Sequence, residues 1–225
     1  MDPKKKKLAL IFALVVLVIG LIMVIVFSFL KRGLQKEVQT ILLKGQVPSD
    51  DLPRQGFPLV QSYQNIEFTY LFYIFFMNVP YISLTNTSSH IIFDRNADGD
   101  ILYDHVSSSL LFRVRMKIDG HEVSKIYNIL RVPLQKWIRL AIVVKNRKMD
   151  IFMDGQLTKS IFMDNVLILY IGNEGILRRG WYGALADFKI YNYVLSDNVI
   201  LDDYSKRADK SFSNPMDFYG RFRKS

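Results

Sequence analysis

The sequence predicts an all-β fold, one antiparallel β-sandwich, preceded by a single N-terminal transmembrane helix. Three observations carry this reading. Residues 8–30 form a long apolar run. Beyond about residue 63, roughly eight or more short apolar or alternating runs recur every ten to fifteen residues, with no convincing amphipathic helix between them. The stretch Trp137 to Leu195 reads as successive strands around tight polar turns.

The elements follow in order. Residues 1–7 are a basic arm holding Lys4 to Lys7. Leu8 to Leu30 is a run of 23 residues broken only by Gly20 and Ser28, with Lys31 and Arg32 behind it. At about 1.5 Å per residue such a helix crosses a hydrocarbon core of about 30 Å with some tilt. A cleaved secretory signal has a shorter apolar region ending in small residues. Phe27 to Arg32 contains no such site, so the run is read as an uncleaved signal anchor. Its flanking lysines and arginines favour a cytoplasmic N terminus by a small margin, with the C-terminal bulk on the far side.

Residues 31–61 are expected to be a juxtamembrane segment and linker, because Gly45, Pro48, Ser49, Asp50, Asp51, Pro53, Gly56 and Pro58 crowd together there. The sandwich is expected over 62–206. Its first strand is Ile66 to Met77, aromatic and β-branched, too short to span a bilayer and stopped by Asn78 and Pro80. Further strands are expected at Tyr81–Thr85, His90–Phe93, Leu110–Ile118 and Lys125–Leu130. Trp137 to Lys145 and Asp150 to Leu157 then alternate on both sides of a polar turn at Asn146 to Lys148, and Asp154-Gly155 tolerates the positive φ of a second tight turn. Ile161 to Met163, Val166 to Ile171 and Gly180 to Ser196 complete the set. Residues 207–225 form a basic, aromatic tail: the last twenty residues carry six basic and two acidic groups.

The order of these pieces resembles the concanavalin A-like lectin/glucanase superfamily, in its laminin-G type. The residues that carry it are Trp137, the Asp154-Gly155 turn, Ile171-Gly172, and the run from Gly183 through Asp187, Phe188, Lys189, Ile190, Tyr191 and Asn192 to Leu195-Ser196. The resemblance implies a jelly roll with a short helical turn after Leu195-Ser196. It also implies glycan or protein binding and, in some relatives, a calcium loop at the rim.

Composition narrows the chemistry. The formal charge of +9 is concentrated at the two ends, which reads as membrane orientation, and no nucleic-acid motif is present. No cysteine exists, so thiolate metal sites and a cysteine nucleophile are excluded. The four glutamates, Glu37, Glu67, Glu122 and Glu174, are isolated, so the paired carboxylates of a retaining glycosidase are missing. Histidines 90, 105 and 121 are scattered without metal-ligand spacing.

Three groups of residues remain. Asp94, Asn96, Asp98 and Asp100 place oxygen ligands at alternate positions around Gly99, which suits either a Ca²⁺ loop or a plain hairpin turn. Tyr103, Trp181 and Tyr182 are candidates to stack on a sugar if they stand in rim loops. Asn86 opens an Asn-Thr-Ser sequon, used only on the lumenal or extracellular side. The expected protein is a non-enzymatic binding module, anchored in the bilayer through residues 8–30, with a glycan or protein neighbour as partner and no cofactor beyond Ca²⁺. The alternative is a structural protein of a membrane-containing assembly, such as a large DNA virus particle, tethering membrane to shell.

Overall fold

Long strands whose side chains alternate between two faces build a pair of antiparallel sheets packed face to face. The computed structural model describes residues 39–59, 66–77, 89–170, 174–207 and 212. Its strands are β1 (Gln39–Ile41), β2 (Gln46–Pro48), β3 (Phe57–Pro58), β4 (Glu67–Phe76), β5 (Ser89–Asp94), β6 (Asp100–Asp104) and β7 (Ser109–Ile118). They continue as β8 (His121–Arg131), β9 (Trp137–Lys145), β10 (Lys148–Met153), β11 (Gln156–Phe162), β12 (Glu174–Leu177) and β13 (Gly183–Tyr191). One helix, α1 (Asp197–Arg207), follows.

One sheet runs β1-β13-β4-β9-β10-β11, with β2 also paired to β13; the other runs β3-β12-β5-β6-β7-β8. The Asp154-Gly155 turn expected from sequence is present, both residues taking positive φ (52° and 81°) between β10 and β11. Asp119 and Gly120 do the same (48° and 84°) between β7 and β8.

The core lies between the sheets. Phe68, Tyr70, Phe72, Ile74 and Phe76 from one face of β4 meet Ile101, Tyr103, Phe112, Val114 and Met116 from the other sheet. Burial of each such side chain stabilises by about 1.5–3 kcal/mol relative to exposure. The opposite face of β4 is covered too. There Leu71, Ala141, Val143, Phe152 and Tyr191 pack under Leu195 and Ile200 of the α1 region. A strand buried on both faces reads as a continuous apolar run, which is why residues 66–77 show no alternation.

Beneath α1 the buried Arg139 pairs with Asp203 and lies 4.3 Å over the Tyr73 ring. Phe212, beyond the helix, sits against Tyr73 and Trp137 with ring centroids 4.8 and 4.9 Å away.

Several expectations are corrected. The supposed linker carries β1, β2, a 3-10 turn and β3, all paired into the sandwich except the turn. The short helical turn after Ser196 is an 11-residue helix. Between Val166 and Tyr170 the expected strand is reduced to a single bridge, Leu167 to Met116. No helix among the described residues is long and apolar enough to cross a membrane. The apolar run 8–30, the strand expected at 81–85 and Asn86 lie outside the described residues.

Candidate functional site at one end of the sandwich

The ends of four strands converge on a cluster of rings. Phe76, the last residue of β4, stacks on Tyr103 near the end of β6 at 4.0 Å, and lies 5.6 Å from Trp181 in the loop before β13. Tyr103 meets His105 edge-on at 4.7 Å, and His105 meets His90 of β5 at 4.6 Å. Tyr182 stands 6.4 Å from His105 on the opposite side.

Backbone bonds hold these ends in register. Met77 N–H donates to the Tyr182 carbonyl (3.1 Å), and Gln135 N–H donates to that of Phe76 (2.7 Å). Asp104 accepts from Val106 N–H, Ser107 N–H and Ser107 Oγ–H, a local turn that leaves Val106 64% exposed beside His105.

The structure thus brings Tyr103, Trp181 and Tyr182 into one cluster, but not in the roles expected of all three. Tyr103 and Trp181 are only 2% and 1% exposed, so neither offers a face to a sugar; they are the floor of the site. Trp181 donates its indole N–H to the Arg178 carbonyl at 2.9 Å, which fixes the ring inward. Burial pushes the Tyr103 hydroxyl up, against a hydrogen bond with Ser108. Tyr182 alone of the three is half-buried, at the surface end of the cluster.

His90 and His105 are the residues that sequence reasoning missed. Each looked isolated, yet the hairpin around the Asp94–Asp100 turn sets residues 89–91 beside 102–104, and the two imidazoles meet at its open end. His121, on β8, is exposed. Burial first, and the approach of His90 second, hold His105 below its ordinary value, against the pull of Asp104.

The carboxylates of the Asp94–Asp100 loop are engaged by donors of the chain itself. Asp100, fully buried, accepts from the backbone of Arg95 (2.7 Å) and Ala97 (3.1 Å), from Arg113 Nε (2.7 Å), and from Arg113 Nη2. Asp94 accepts from Asn96 N–H (2.9 Å) and from Arg178 Nε (2.9 Å). Asp98 accepts from Tyr170 N–H (2.9 Å), with Arg115 Nε 4.0 Å away. Asn96 has an exposed side chain and contributes its carbonyl to Arg115 (2.7 Å).

Guanidinium groups therefore surround the carboxylates that the sequence left open to either a Ca²⁺ loop or a plain hairpin turn. Among the described residues no group of three or more metal-ligating side chains forms. Burial pushes the Asp94 carboxyl up, but the Asn96 N–H and Arg178 outweigh it, leaving it below the usual range. Inside the loop, Arg95 is buried over the Phe68 ring and donates to the Tyr70 hydroxyl (3.1 Å), which donates to the Gly99 carbonyl (3.1 Å). This is a structural plug for the far end of the core. Glu67, Glu122 and Glu174 lie on three different strands, β4, β8 and β12.

Residues 65–201, more than half the chain, match the family model Laminin_G_3, described as concanavalin A-like lectin/glucanases superfamily. No curated protein matches the sequence. Among solved structures, the botulinum neurotoxin serotype G binding domain is similar at a TM-score of 0.51 and 11% identity, covering 77% of this chain and 47% of that one. The binding domain of Paraclostridial Mosquitocidal Protein 1 is similar at 0.50 and 15%, covering 77% and 48%. This chain spans about half the length of those domains, and the likeness is one of fold.

Proposed function

This chain belongs to the concanavalin A-like lectin/glucanase superfamily, and from that premise we propose that it is a non-enzymatic binding module acting through the ring-lined end of its sandwich. The observation that carries the reading is the gathering of Phe76, Tyr103 and Trp181 as a rigid buried floor under Tyr182, His105 and the exposed Val106. A packed aromatic floor holds the residues above it in place before a ligand arrives, so little ordering is needed on binding. Tyr182 supplies a half-buried ring with a polar tip, the type of group that contacts either a sugar face or a protein side chain. The module is held at a membrane surface by residues 8–30, and its ligand is a glycan or a protein neighbour.

The test uses the full chain in detergent micelles on a glycan array, with and without calcium. Selective, saturable binding that is unchanged by chelation and at least tenfold weaker in Tyr182→Ala supports a lectin that works without Ca²⁺. Silence in both conditions turns the reading to a protein partner, sought by cross-linking from the Val106 and Tyr182 side. Cross-links that avoid this end altogether would remove the site. Cross-links confined to residues 207–225 would instead favour the membrane-to-shell tether.

A further inference from the structure

His90 and His105 face each other in a way the binding reading does not use. Their rings stand 4.6 Å apart, nearly perpendicular at 85°. Both Nε2 atoms are shut off from solvent, and among the described residues neither has a hydrogen-bond partner. A neutral imidazole carries one N–H and one lone pair, so each ring tolerates this at the cost of one unmet bond. An imidazolium donates from both nitrogens. A second proton at Nε2 would create a buried charged donor with no acceptor, beside another imidazole, which costs far more.

We propose that the His90–His105 pair is an acid-operated latch on the ring-lined end: closed while His105 is neutral, and forced apart when His105 takes a second proton. The idea rests on the binding reading only for what the latch regulates. Among the described residues, the groups facing His105 are His90 from β5, Tyr103 and Asp104 from β6, and Tyr182 from the loop before β13. Of these only Asp104 carries a compensating charge, and its carboxylate is already engaged by Val106 and Ser107. Opening this corner separates β5 from β6 at the end that positions Tyr103, and so loosens the floor on which Tyr182 stands.

The sign follows from linkage. His105 is held below 6.5 in the folded chain, so the unfolded chain binds a proton that the folded one refuses. The stability contributed by neutral His105 is therefore complete above pH 6.5. It is lost as pH falls through that value toward the folded-state one.

Thermal unfolding of the full chain in micelles at pH 7.5 and 5.0 tests this without any ligand. The native chain should lose at least about 3 °C more than His105→Gln, a shift readable in a domain of this size. His90→Gln, which gives the imidazolium an amide acceptor, should shrink the loss as well. If His105→Gln does not fold, the His90→Gln comparison decides. In a Trp137→Phe background the emission of Trp181 should shift to the red on acidification, and His105→Gln should abolish that shift.

Equal pH-dependence in native and variant chains overturns the latch. So does a histidine-dependent loss of stability with no change at Trp181. Silence on the glycan array leaves these outcomes untouched, so the two readings fail separately.

Discussion

At the scale of single residues, the strongest sequence signature turns out to be a set of packing constraints. Asp187 takes a positive φ of 48° in a β-bulge, and its carboxylate accepts the Gly45 N–H at 2.9 Å, tying the β1–β2 corner to β13. Phe188 beside it is fully buried, stacked on Phe72 at 4.7 Å. Gly183 has no room for a side chain, since a Cβ there would collide with the Phe75 carbonyl and the Trp181 ring. Gly183→Ala should therefore lower the melting temperature by several degrees, while Gly120→Ala, which meets nothing within 4 Å, should cost only the strain of its positive φ. Trp181→Ala should destabilise by about 3–5 kcal/mol in urea unfolding, against under about 1 kcal/mol for Tyr182→Ala. That contrast separates the floor from the contact surface. The sequence named all three aromatic residues without distinguishing them. A loop-flanking aromatic has the same composition whether its ring points in or out.

At the scale of elements, charge holds pieces together that apolar contact alone would leave loose. Arg139 is 1% exposed and paired with Asp203 of α1, with Lys189 Nζ 3.9 Å from the same carboxylate. Asp203→Ala should cost about 3–5 kcal/mol in urea unfolding, because it removes the carboxylate facing a buried guanidinium. Arg113→Ala should cost less, about 2 kcal/mol, since Arg113 is 29% exposed and water takes over part of its work, although Asp100 is not exposed at all. Chelation by EDTA should move the melting temperature by less than about 1 °C, as the loop's cations are covalently part of the chain. Long alternating or doubly buried strands were legible because periodicity needs length. β1, β2 and β3 are two or three residues each, too short to show a period, and Pro48 and Pro58 at their ends read as breakers. The arginine pairing of the acidic loop was hidden for another reason: Arg113 and Arg115 arrive from β7, and Arg178 from beyond β12, 84 residues from Asp94.

At the scale of the whole molecule, the sandwich and the anchor are separate claims. The sandwich stands without disulfides, since the chain has no cysteine, on a core drawn from both sheets. The anchor predicts that the full chain stays in the membrane pellet after washing at alkaline pH, with release to the supernatant counting against a spanning helix at 8–30. β13 adds a constraint of timing. It sits between β4 on one side and β1 with β2 on the other, so residues near both ends of the described chain meet on one strand, Gln39 against Tyr191. Contacts so distant in sequence make folding slow. On the ribosome, β1, β2 and β4 emerge long before their shared neighbour and must wait with open edges. A nascent chain stalled before Gly183 should be protease-sensitive throughout, and one released past Tyr191 protected. The sheet that holds β13 therefore closes only after the last strand is made.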